Sequence, residues 1–407
     1  MLPRATSAHV GAAATLALLL SSAGAAAQDA AAGTAAQDPV PAQGPAAAQA
    51  PGAQDPAAAQ APGAQAPAAA QTPNAAQTPN AAQTPAAQDP TAAQAPALAA
   101  PEPGPGGEVS APPQPAAAPG ADPAPHPLHR LTYDSMLAIR INPLGIEERL
   151  NVFFRRRLSS DPSPLWRESS VSVGLTPTLT PSIIRLGPTL EFRPLTILSL
   201  SASGYFQSWM KTFDNLQSYP SPTAEHSDDA RKAGGDLDLN YGTTGAELQL
   251  RAQVLAKAGP IVLRGDVNLH RSSVDLRDGD RVYYDPRSDL LLANGGWWMV
   301  ADTDLVWFTT FGLVAGARFN VSNAFLSKDD FAPGEPTDDP NGAVTRVGPL
   351  VAYTFFDEPG AVFNKPTAIL IANWYLSHRY RTGEESSAAL PYIAAAFRFE
   401  GDLYRSD

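Results

Sequence analysis

The sequence predicts an all-β fold, an antiparallel transmembrane β-barrel of about twelve strands (12–14), preceded by a disordered Ala/Pro/Gln-rich tail. Three observations predict it. All six Trp, eleven Tyr and fifteen Phe lie at or beyond Tyr133. From Leu131 onward, apolar and polar residues alternate with a period of two, the period at which side chains alternate across a strand. The alternating segments run about 9–15 residues, long enough to cross a hydrocarbon layer at a tilt.

The first third has a different character. Residues 1–27 read as a cleaved secretory signal: Arg4, an apolar run from Gly11 to Leu20, then small residues up to Ala25-Ala26-Ala27 before Gln28. That run is too short to cross a ~30 Å hydrocarbon core unaided. Residues 28–126 are Ala, Pro, Gln and Gly with scattered acids, including the near-repeat Ala69-Ala70-Gln71-Thr72-Pro73-Asn74 and Ala75-Ala76-Gln77-Thr78-Pro79-Asn80. Proline every few residues forbids a continuous helix, and no large apolar side chain is available to bury. The segment reads as a low-complexity linker whose extended length, at ~3.1 Å per residue, approaches roughly 300 Å. Such a spacer could cross a periplasm, with the cell wall as an expected partner. The barrel is expected over 127–407.

Composition excludes several classes. The formal net charge of −12 argues against a nucleic-acid partner, which needs a basic face. The absence of cysteine excludes disulfides, thiolate metal sites, a cysteine nucleophile and a lipidated cysteine. No glycine-rich phosphate loop, zinc spacing or nucleotide fingerprint occurs, so no cofactor is expected.

Each strand follows from its alternation. The expected segments are 131–141, 146–157, 167–179, 182–193, 196–209, 236–256, 260–272, 289–301, 304–320, 343–356, 366–380 and 390–400. In the first, Leu131, Tyr133, Leu137, Ile139 and Ile141 oppose Thr132, Asp134, Ala138 and Arg140. The sixth changes phase near Gly242–Gly245, which leaves fourteen strands open. Connections at 193–195, 257–259, 302–303 and 357–362 read as tight turns; 210–235, 273–287, 321–342 and 381–389 read as long polar loops. Short turns on one side and long loops on the other place both ends of the barrel inside. The first four strands do not follow this rule cleanly, and their orientation stays open. Trp and Tyr near segment ends (Trp166, Trp209, Trp297, Trp298, Trp307, Trp374, Tyr205, Tyr375 and Tyr380) are expected at the headgroup level.

The last segment, Tyr392-Ile393-Ala394-Ala395-Ala396-Phe397-Arg398-Phe399, resembles the assembly signal of bacterial (Gram-negative) outer-membrane β-barrel proteins. That signal has a polar residue, a glycine, and two aromatics at alternate positions. Tyr392, Phe397 and Phe399 match, Ala394 stands where glycine is usual, and eight residues follow where the class normally stops. The resemblance covers 131–400 as architecture and matches no specific family. It implies location in the cell outer membrane, contact with its lipid and lipopolysaccharide, and folding by the outer-membrane assembly machinery.

Function rests on the inward face. It carries Arg140, Arg185, Arg251, Arg264, Arg318, Arg346 and Arg398 with Glu191, Glu247 and Asp266. A twelve-stranded barrel is narrow, so these charges must pair or line water. One reading is a small porin-like channel whose arginines favour anionic solutes; the other is a salt-bridged structural barrel that conducts nothing. No enzyme is expected, although His270-Arg271-Ser272 resembles the His-x-Ser of outer-membrane phospholipase A and lipid A deacylases. In those enzymes the pair faces lipid, whereas His270 falls on the polar face here. The carboxylates Asp329, Asp330, Asp338 and Asp339 are candidates for a divalent cation in an outer loop, with a solvated loop as the plainer reading.

Overall fold

The computed structural model describes residues 127–383 and 390–406. The expected signal segment 1–27 and linker 28–126 lie outside the described residues. In chain order the strands are β1 (His129–Ile141), β2 (Gly145–Arg157), β3 (Ser170–Leu175), β4 (Thr178–Leu179), β5 (Ile183–Leu186), β6 (Pro188–Leu195) and β7 (Leu198–Trp209). A loop then carries the two-residue β8 (Ser218–Tyr219) and helix α1 (Asp228–Asp236), before β9 (Thr243–Ala258) and β10 (Ile261–Val274). The next loop holds β11 (Val282–Asp285) and β12 (Leu290–Ala293). The chain finishes with β13 (Trp297–Phe308), β14 (Leu313–Phe325), β15 (Val344–Thr354), β16 (Asn364–Ser377) and β17 (Tyr392–Ser406).

Every barrel neighbour pairs antiparallel, and β1 closes onto β17 from His129↔Ser406 to Ile141↔Ile393. Two wall positions are each filled by a broken strand. β3 and β4 part around Thr176-Pro177, where proline cannot donate to the ladder. β5 and β6 part at Gly187. Counting each broken strand once gives a closed barrel of twelve. The phase change near Gly242 marks the entry of β9 from its loop and adds no strand.

The orientation of the first four strands follows from their contacts. The short 142–144 turn lies with the long loops, since the Tyr375 hydroxyl donates to the Asn142 carbonyl (2.7 Å) and Arg381 to its side chain (2.7 Å). The 180–182 turn joins them through Met210 N–H to the Ser182 carbonyl (2.8 Å). Connections 158–169, 196–197, 259–260, 309–312 and 355–363 sit at the opposite end, with both ends of the barrel chain.

Three boundaries differ from expectation for identifiable reasons. Asp302-Thr303 resembles a turn but lies in the middle of β13, because Asp302 and Asp304 are lumen-facing carboxylates on either side of an outward Thr303. The real turn is 309–312, closed by Gly312 at φ +90°, a left-handed conformation that glycine adopts without strain. Leu290–Ala293, expected at the start of a wall strand, instead pairs with β11 inside the barrel. β17 continues past Phe399 to Ser406 through a register shift opposite Leu131/Thr132, so Glu400–Ser406 are barrel strand.

Outward positions form an apolar belt that includes Leu137, Ile139, Leu175, Leu190, Leu305 and Leu370, all exposed. Trp166, Trp307 and Trp374 are exposed with it, whereas Trp209, Trp298 and Tyr205 turn into the lumen and are buried. The interior is divided lengthwise. On the β13–β17 and β1 side it is packed with Met136, Val306, Val314, Leu350, Ile369 and Ile371. Val306 and Leu350 are 1% and 0% exposed, so this half is a core rather than a pore. The β3–β7 side is hydroxylated: Thr176, Thr189 and Ser203 bond in series at 2.8 Å, and Thr176 donates to the Tyr205 hydroxyl.

A positive charge on the belt is costly in proportion to its depth. Leu250→Arg, midway along β9, should destabilise the barrel by about 2–4 kcal/mol, and Ser273→Arg near the loop end by about 0–1 kcal/mol. Denaturant unfolding in detergent checks both; equal losses would contradict a membrane-facing belt.

Candidate functional site

The inward-facing arginines and acids meet hydrogen-bonding partners inside the lumen, most of them opposite charges. Midway down, Arg264 Nε reaches Asp304 at 2.9 Å and Arg318 Nε donates to the same carboxylate at 2.7 Å. Arg346 donates twice to Asn320 Oδ1 (3.0 and 2.6 Å), and Asn320 in turn donates to Asp302 (2.8 Å). The Arg346 guanidinium also lies 4.3 Å from the Tyr392 ring centroid. Beside them, on β9 and β10, Arg251 forks onto Asp266 at 2.8 and 2.5 Å. Arg398 pairs with Asp134, and Arg140 donates to the Pro286 carbonyl.

Nearer the loop end, Glu247 is the hub. Arg185 donates to it at 2.6 Å, Arg287 at 2.8 Å and the Ser272 hydroxyl at 2.9 Å, with His270 Nδ1 at 3.0 Å. His270 and Ser272 therefore meet, but both turn to the carboxylate. The Ser272 hydroxyl donates to Glu247 and accepts from Trp298 Nε1 (3.3 Å), while the His270 ring stacks on Trp298 at 3.9 Å. Both side chains are 0% exposed and face the lumen, away from lipid.

Arg287 comes from outside the wall. β11 and β12 form a hairpin that, with β8, makes a three-stranded sheet folded into the loop end of the lumen. Tyr283, Leu290 and Leu292 pack against the wall residues Ile183, Trp209, Trp298 and Val344; Tyr284 and Leu291 face away. At the hairpin tip, Arg287 bridges Asp285 (2.6 Å) and Glu247, fastening the insert to β9.

A second fastening holds the insert from above. Asp289, at the far side of the tip, accepts from the Tyr284 hydroxyl (2.7 Å) and Arg381 Nε (2.7 Å), and His378 Nε2 lies 3.0 Å away. Burial alone would raise the Asp289 carboxyl, but Arg381 and His378 hold it well below the usual carboxylate range. Arg381 also grips Asp228 (2.9 Å), the first residue of α1, and Asn142, so one guanidinium ties four loops together. His226 lies beneath this layer, edge-on to Tyr380 at 4.8 Å, and burial pushes its imidazole down to about 3.

The proposed loop metal ligands do not converge. Asp330 accepts from the Ser327 N–H and Asp339 from the Asn341 N–H, and among the described residues no three His, Asp or Glu side chains are grouped to hold an ion. Tyr392 of the final-strand motif is buried in the lumen, while Phe397 is exposed on the belt. The residues missed from sequence are Asp285, Arg287, Asp289 and Arg381. Their signal was the pair of apolar runs Val282-Tyr283-Tyr284 and Leu290-Leu291-Leu292, out of place in a solvated loop.

No protein-family model and no curated protein matches the chain. Among solved structures it is similar to the KdgM porin, at 6% identity and a TM-score of 0.30 over 67% of this chain and 99% of that one. It is also similar to the translocator domain of the autotransporter NalP from Neisseria meningitidis, at 12% identity and 0.30 over 67% and 87%. A third is the outer membrane protein Omp33 of Acinetobacter baumannii, at 9% identity and 0.29 over 69% and 100%. The closed barrel, its apolar outer belt and its polar interior themselves give the architecture of the outer-membrane β-barrel class.

Replacing Glu247 with Gln leaves Arg185 and Arg287 without the charge they share. The expected loss is about 3–5 kcal/mol, that of breaking a buried ion pair from one side, read as the unfolding midpoint. The loop layer should also respond to pH. An unfolded histidine takes up its proton near 6.5, but the folded His226 does so only near 3, so stability is complete above pH 6.5 and declines as the pH falls between those values. At pH 5 the loss is on the order of 2 kcal/mol. Asp289, held low, contributes stability above the ordinary carboxylate range and loses it only in far stronger acid. Loop proteolysis should therefore quicken from pH 7.5 to 5, and His226→Phe should abolish the change.

Proposed function

We propose that this chain is an outer-membrane channel for small solutes, anions preferentially, closed at rest by its own folded-in hairpin. The observation that carries the reading is the lengthwise division of the lumen. One half is packed, while the other presents a polar wall running from an arginine-rich mouth to the inserted sheet. Thr176, Thr189 and Ser203 line that wall with their hydroxyls bonded in series. At the loop end the hairpin blocks this half, held by Arg287 on Glu247 and by Arg381 on Asp289.

In a barrel of this class the long loops face the exterior and the short turns the periplasm. The hairpin then closes the outer mouth, and the arginine-rich mouth opens toward the periplasm. Opening requires both fastenings to release, since either alone keeps the tip in the lumen. The ion-paired interior also fits a second reading, a structural barrel that never opens.

Planar-bilayer recording separates the two. The full chain should be silent for most of the record, and Arg287→Gln combined with Arg381→Gln, one residue from each fastening, should raise the open fraction at least about tenfold, one decade being ~1.4 kcal/mol. Open events should favour anions. A variant that inserts and stays silent would establish the structural barrel.

A further inference from the structure

The inward arginines differ in how far water reaches them. Arg185, Arg264, Arg287 and Arg318 expose 4% of their side chains or less. Arg251, which pairs with the same Asp266 as Arg264 does, exposes 40%. It stands midway along β9, in one register row with Glu191 on β6, Ser201 on β7 and Asn268 on β10. Ser199 and Gln253, nearer the end that holds both chain termini, are half-buried, as are Ser201 and Glu191. Toward the loops Ser203 is buried, and beyond it Tyr205 and Glu247, where the hairpin is fastened. Arg251 therefore lies where the hydroxylated half of the lumen still meets water.

Its pairing does not cancel its charge as a solute meets it. Asp266 is 0% exposed, held behind the guanidinium by Arg264 at 3.5 Å and by the Gln253 and Asn268 amides at 3.2 Å each. The carboxylate is kept against the wall, while the guanidinium faces the solvent in which a solute moves. Arg149 and Glu147 repeat the asymmetry, at 22% and 2%. Arg398 does not, since Asp134 and Glu400 are as exposed as it is. The two-point fork onto Asp266 also fixes the direction of the Arg251 guanidinium before any solute arrives.

We infer that Arg251 is the residue at which the lumen selects anions. The inference deepens the channel reading, on which it rests, by giving the charge preference a position. A solute of either sign can pass the half-buried serines of β7. At Arg251 one exposed unit charge favours an anion and disfavours a cation.

The test exploits the absence of cysteine. Ser201, the cross-strand neighbour of Arg251, is changed to cysteine (Ser201→Cys) in the full chain, folded in detergent at low salt. Its reaction rates with a sulfonate-bearing and a trimethylammonium-bearing methanethiosulfonate are measured, each divided by the rate with a small free thiol. The anionic reagent should be favoured, and Arg251→Gln should lower the ratio of the two rates about tenfold, because losing one nearby unit charge acts on the two reagents in opposite senses. Arg251→Lys should keep most of the preference, and Arg271→Gln, exposed on β10, should leave it unchanged. If Arg251→Gln does not fold, adding Asp266→Asn removes both partners of the fork and should still lower the ratio. An unchanged ratio in a folded Arg251→Gln variant would overturn the inference. So would equal normalised rates in the chain that keeps Arg251, or no reaction with either reagent before unfolding. The rates report the lumen whether or not it conducts, so this result and that of the bilayer recording fail independently.

Discussion

The structure depends on one constraint: a charge turned inward in a narrow barrel leaves bulk water and must be met by an opposite charge or a hydrogen-bond partner within reach. Alternation along a membrane-crossing strand sends every second side chain into the lumen, and this sequence fills many of those places with arginine. The wall answers with acids on the neighbouring strand at nearly the same height, Asp266 for Arg251 and Asp304 for Arg318. Register is thereby fixed twice, by the apolar belt outside and by the ion pairs inside. A slip of one residue would place guanidinium groups in lipid and leave their carboxylates unpaired.

The same constraint explains the inserted hairpin. Glu247 faces Arg185 from the wall and Arg287 from the insert, so the wall carries a place that only the hairpin completes. Burying Tyr283, Leu290 and Leu292 against Trp209 and Trp298 adds the apolar part of the attachment. The hairpin's attachment is therefore built from the two interactions that hold the barrel itself together. Arg381 adds a gathering point for loops distant in sequence, from Asn142 to Asp289.

Much of the fold was legible because a barrel strand writes its two faces in alternate letters. Leu248, Leu250 and Ala252 against Glu247, Gln249 and Arg251 mark both the strand and the direction of each side chain. The lumen-facing set was legible for the same reason. Alternation carries no information about partners, since it gives the face of a side chain and not the register that decides which residue stands beside it. Asp302-Thr303-Asp304 was misread because two inward acids around a small polar residue have the composition of a turn. The hairpin was missed because loop length was read as solvent exposure, although its apolar runs are those of a buried element. His270 and Ser272 meet as their spacing suggested, yet Glu247, which sets what they do, lies 23 residues away from His270 on the neighbouring strand.

The central claim is that the hairpin tip occupies the lumen at rest. The chain has no cysteine, so a single Ser288→Cys at the fully buried tip reports its position without interference. We predict that a membrane-impermeant maleimide applied to intact cells leaves this thiol unlabelled, and that it labels after unfolding. Rapid labelling of the folded protein would place the hairpin outside the lumen and contradict the account.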